Sequence, residues 1–147
     1  MKTASRNTLV KKTFLGILTT MMLLSFTTSS TKESFAASSI VPGARGYVRV
    51  KMNDLNNYAV NIRITDLMSV TQLQPPKHNY VVWMVSDQYI TKNLGKLFSK
   101  TDAFPGKMKA SFESITSLKP SKIFITAEDD ATIQHPGVQV VLATNRF

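Results

Sequence analysis

The 147-residue sequence contains no cysteine. This excludes disulfides, iron–sulfur clusters, thiol nucleophiles and a cysteine-linked lipid anchor. A domain built from such a chain is held by its core alone. Histidine is nearly as scarce: His78 and His135 are the only two, too far apart to give the spacing of a zinc site. No G-x-S-x-G elbow, P-loop, G-x-G-x-x-G or H-E-x-x-H motif is present, and each would have marked a specific chemistry. No catalytic residues, no cofactor and no enzyme activity are therefore expected. A membrane-spanning helix needs about 20 apolar residues. The longest apolar run, Phe14 to Phe26, has about 13, interrupted by Thr19 and Thr20. Beyond Ala36 no segment sustains a helical period, and there is no internal repeat or low-complexity tract.

That short run has the flanks of a secretory leader. Lys2, Arg6, Lys11 and Lys12 precede it, and Ser34-Phe35-Ala36-Ala37 follows with small residues where a signal peptidase reads. The pattern predicts a signal peptide over residues 1–36, with Ala37 or Ser38 as neighbouring cleavage positions. A flexible lead-in over 37–46 and one domain over 47–147 are expected to follow. The localisation expected is periplasmic or extracellular, without stable membrane insertion after cleavage; an uncleaved leader would instead act as an anchor. The net charge of +9 overstates the basicity of the processed part. Five of the 18 Lys and Arg and one of the nine acids precede Ala37, leaving 13 against 8. These charges are scattered along the chain with no dense basic run, so no nucleic-acid partner is expected.

The rest of the chain reads as short strands. Tyr80-Val-Val-Trp-Met-Val-Ser86 is β-branched and aromatic, with apolar residues on both faces, so a mid-sheet strand covered on both sides is expected. Period-two alternation marks Gly46–Met52, with Val48 and Val50 inward, and Tyr58–Ile64, with Val60 and Ile62 inward; the two read as a hairpin across the polar turn Asn53–Asn57. Asn93–Phe98 is a further strand, with Gly95 permitting a bulge. Met108, Ala110 and Phe112 alternate inward; Glu113–Leu118 is expected to cross to the other sheet. Lys122–Glu128 and Val138–Ala143 close the domain. Roughly seven to eight strands, with turns at the spacing of sandwiches and barrels, predict an all-β fold. The expected architecture is an antiparallel, immunoglobulin-like β-sandwich, with a small closed barrel as the alternative. Tyr80, Val82, Trp83, Ile125 and Val140 are its expected core, with Trp83 wedged between the sheets.

One polar cluster stands out. Glu128, Asp129 and Asp130 lie where a strand enters a loop, with His135 nearby. Carboxylates in a loop suit calcium, but the spacing is not that of an EF-hand and successive strand residues face apart. No metal site is predicted; these four are the weak candidates.

Tyr80-Val-Val-Trp-Met-Val, then Asn93-Leu-Gly-Lys-Leu, Phe124-Ile-Thr-Ala-Glu-Asp and Pro136 to Leu142 together resemble the extracytoplasmic C-terminal domain of anti-sigma-K factors, over about residues 80–144. The resemblance implies a β-sandwich outside a bacterial inner membrane, with no catalytic residues to carry over. Members of that family grip a sigma factor with an N-terminal helical domain, whereas about 13 residues precede the apolar run here. What is implied is a free-standing counterpart of the sensor half. The function expected is an exported, non-enzymatic module that binds a protein or cell-envelope partner, or serves a structural role there. The alternative is a sensor-like subunit in envelope stress signalling.

Overall fold

The structure is a computed structural model that describes residues 29–101 and 107–147. The basic and apolar parts of the expected leader, and residues 102–106, lie outside the described residues. Among the described residues nine strands form two antiparallel sheets: β1 (Ser30–Ser34), β2 (Arg45–Met52), β3 (Tyr58–Leu67), β4 (Asn79–Ser86), β5 (Thr91–Lys96), β6 (Phe98–Thr101), β7 (Met108–Thr116), β8 (Pro120–Glu128) and β9 (Val140–Ala143). One sheet has the order β1-β2-β3-β7-β6 and the other β5-β4-β8-β9. Leaving out β1, this is an immunoglobulin-like sandwich, its second sheet extended by β5 as in the larger members of that architecture. The four segments that carry the resemblance described above supply β5, β4, β8 and β9, the whole of the second sheet.

Alternation builds the core. Val48, Val60, Ile62 and Ile64 from the first sheet meet Tyr80, Val82, Met84 and Ile125 from the second, all buried. Gly46 lies opposite Ile64 where β2 and β3 approach closely. The expected bulge occurs at Gly95, whose φ of +126° suits glycine; β5 pairs with β4 through Gly95–Val82 and then Asn93–Trp83.

Several expectations are corrected. Trp83 is fully buried but does not sit between the sheets. It lies on the outer face of the second sheet with Val81 and Phe124, under Ala131 and Ile133 of the β8–β9 loop. Its ring stacks on Phe124 at 6.2 Å, and its Nε1–H donates to Thr126 Oγ1 at 2.8 Å. Asn93 fixes the cover by donating to the carbonyls of Ala131 and Ile133. Val140 is 42% exposed, and its neighbours Val141 and Leu142 fill the core instead. Glu113–Thr116 does not cross over but continues β7 against Tyr58–Asn61.

The chain ahead of β2 is also part of the sandwich. Val41 and Ala44 are buried in the core. β1 pairs with β2 along its full length. Phe35 then packs on the core and its N–H donates to the Gly46 carbonyl, while the Ala36 N–H donates to the Ala143 carbonyl of β9. Residues 30–36 thus tie the two sheets together at their edges, and cleavage after Ala36 would remove that tie.

Candidate functional site

The acidic candidates do not converge. Glu128 is the last residue of β8 and is buried; its Oε1 accepts the Gly137 N–H at 2.7 Å, closing the base of the β8–β9 loop. Asp129 turns outward to Lys77 Nζ at 2.6 Å and His78 Nδ1 at 3.6 Å. Asp130 accepts the Thr132 N–H and hydroxyl at 2.8 and 2.7 Å, the backbone bond above all holding its carboxyl below the usual range. His135 is exposed on the same loop. Each carboxylate is thus engaged locally in a different direction. Among the described residues no three His, Cys, Asp or Glu side chains could hold a metal ion together. A cavity of about 340 Å³ opens at one end of the sandwich, lined chiefly by Val50, Met52, Tyr58, Pro120 and Phe147, with Lys119 its one cation.

Strand register assembles a different feature. On β2 the residues between the core positions point to solvent: Arg45, Tyr47, Arg49 and Lys51. β1 lays Lys32 opposite Arg49, and β3 lays Arg63 opposite Tyr47. β6 and β7 add the cross-strand pair Lys100 and Lys109. Half of the 14 Lys and Arg in the described residues thus share the outer face of the five-stranded sheet. Among the described residues Glu113 is the one carboxylate on these rows, 3.0 Å from Arg63; Asp66, at the sheet's end, is bound to Lys107. Tyr47 lies beneath two of the cations, with Lys32 Nζ 4.2 Å and the Arg49 guanidinium 5.9 Å from its ring centre. Phe98 and Ile115 stand exposed on the same face, at 70% and 67%.

The chain matches no family model, none of the curated proteins and none of the solved structures. The geometry therefore has to speak for the site. One like-charged pair, Lys32 and Arg49, sits directly opposite across β1 and β2. Like-charged cross-strand pairs weaken a sheet, and a polyanion laid across them would relieve that repulsion. Sequence reasoning missed this surface because β-alternation spaces its members two apart and turns separate the strands. The hairpin Gly46–Ile64 was the signal that could have revealed it, since its outward residues Tyr47, Arg49, Lys51, Ala59, Asn61 and Arg63 include three cations and no acid.

Proposed function

We propose that this chain is an exported, non-enzymatic β-sandwich module that acts in the cell envelope by binding through the outer face of its five-stranded sheet. The observation that carries the reading is the gathering of cations on that face, while the acidic candidates are absorbed in loop structure. The leader-like amino end supports export. Fractionation of cells with intact-mass and amino-terminal sequencing tests it. Recovery in the envelope or medium is expected; recovery of an unprocessed chain in the cytosol overturns it.

A second reading is favoured by one observation: the resembling segments make up one entire sheet rather than scattered pieces. In that reading the module is a sensor-like subunit of an envelope stress pathway, related to the extracytoplasmic domains of anti-sigma-K factors. Pulldown from envelope extract should then recover a membrane-bound sigma-factor regulator, and a pulldown without one removes this reading.

A further inference from the structure

We infer that the cationic face of the five-stranded sheet docks on an anionic phospholipid surface. The inference names the partner within the binding reading above and takes from it the place of the protein outside the cytosol. Three features select a bilayer over a linear polyanion.

The first is shape. The face is a five-stranded sheet surface of roughly 20 by 20 Å, from the usual strand spacing and rise per residue. Its cations are spread over β1, β2, β3 and β6 rather than aligned along a groove. Such an array matches a two-dimensional field of phosphates better than a single strand of them. The second is the company the charges keep. Phe98 and Ile115 project from the same face with most of their surface in solvent. Apolar tips among basic residues suit the boundary between headgroups and acyl chains. The third is the chain itself. Only Thr27, Thr28 and Ser29 separate the apolar run Phe14–Phe26 from β1. Three residues span at most about 10 Å, so for as long as the leader is uncleaved and its run lies in a bilayer, the β1 edge of this face is held beside the headgroups.

The test uses the protein as recovered from cells, in flotation with vesicles of phosphatidylcholine alone and of phosphatidylglycerol mixed equally with it. Binding is expected to the mixed vesicles, weakened by salt as surface electrostatics requires. Each cation near an anionic surface changes affinity about 5-fold, so the double variant Arg49→Glu with Lys51→Glu should bind at least about 25-fold more weakly. A matched double variant on β5, Lys92→Glu with Lys96→Glu, makes the same change in net charge away from the face and should retain most of the binding. Equal binding to both vesicle types, or equal loss in the two variants, overturns the proposal. So does complete release from vesicles by a soluble oligonucleotide at equal phosphate concentration, which would assign the face to a polymer. Because the assay uses purified protein, its failure leaves the export reading standing. A cytosolic location would overturn export without altering the vesicle result.

Discussion

At the scale of single residues, Gly46 carries a constraint out of proportion to its size. A Cβ there would lie 2.5 Å from the Arg63 carbonyl oxygen and 3.1 Å from the Ile64 Cα, both backbone atoms that cannot swing aside. Gly46→Ala should therefore force β2 away from β3 and destabilise the fold by about 2 kcal/mol or more, in the range of overpacked interiors. Gly43 is the control: its added Cβ would rest 3.7 Å from the Asp66 oxygen, so Gly43→Ala should shift a urea midpoint little. Tyr80 makes a different demand. Its ring is in the core, its hydroxyl donates to the Met68 carbonyl at 2.9 Å, and burial pushes the phenol well above its usual range. Below about pH 10 the phenol is protonated in both the folded and unfolded chain, so its contribution is complete. Above that pH the unfolded chain releases the proton and the folded chain does not, so stability falls as pH rises. Tyr80→Phe should cost about 1 kcal/mol at neutral pH and flatten the alkaline limb of a stability–pH curve. An alkaline limb of unchanged slope in the variant would assign the fall to other groups.

At the scale of elements, β1 decides where the domain begins. A chain starting at Ser29 keeps the β1–β2 ladder, the packing of Phe35 and the bond from Ala36 to Ala143; one starting at Ala37 loses all three. The shorter chain should be less stable by about 2 kcal/mol, mostly from the apolar surface under Phe35, and melt about 8 °C lower. By the same reasoning a processed chain that keeps its stability begins ahead of Ser30, and amino-terminal sequencing reads this directly. Why β1 was illegible is plain from its residues. Ser-Thr-Lys-Glu-Ser has no apolar member, and it lies in the polar stretch that ends a leader pattern. β2 and β3 were legible because one face of each is buried and the alternation shows it, whereas β8 was legible from its β-branched and aromatic run although both its faces are buried. β4 was legible as a strand but not in its facing. Apolar residues occupy both its sides, so nothing in Tyr80–Ser86 says that Trp83 belongs under the β8–β9 loop rather than between the sheets. The end of β7 misled for the opposite reason. Its phase is kept, but Ser114 and Thr116 point inward and Ile115 outward, inverting the polarity that marks a strand.

At the scale of the whole molecule, the charge distribution sets stability against binding. The fold tolerates Lys32 facing Arg49 across β1 and β2. Directly opposed like charges are worth a few tenths of a kcal/mol to roughly 1 kcal/mol in the unfavourable sense. Part of that cost is offset by Tyr47, whose ring takes Lys32 at 4.2 Å. A surface shaped only by folding would favour an acid at one of these positions. Arg49→Glu supplies it: the change turns the Lys32 pair attractive, and the Lys32–Tyr47 contact remains. Thermal denaturation at low salt should show the variant more stable than the natural chain by about 0.5 kcal/mol, with the gain shrinking as salt is added. The same variant should bind anionic vesicles more weakly. Opposite movement of the two measurements identifies the face as one kept basic for a partner at the expense of the fold. A variant that loses stability and binding together would mean that Arg49 is there for the sheet itself.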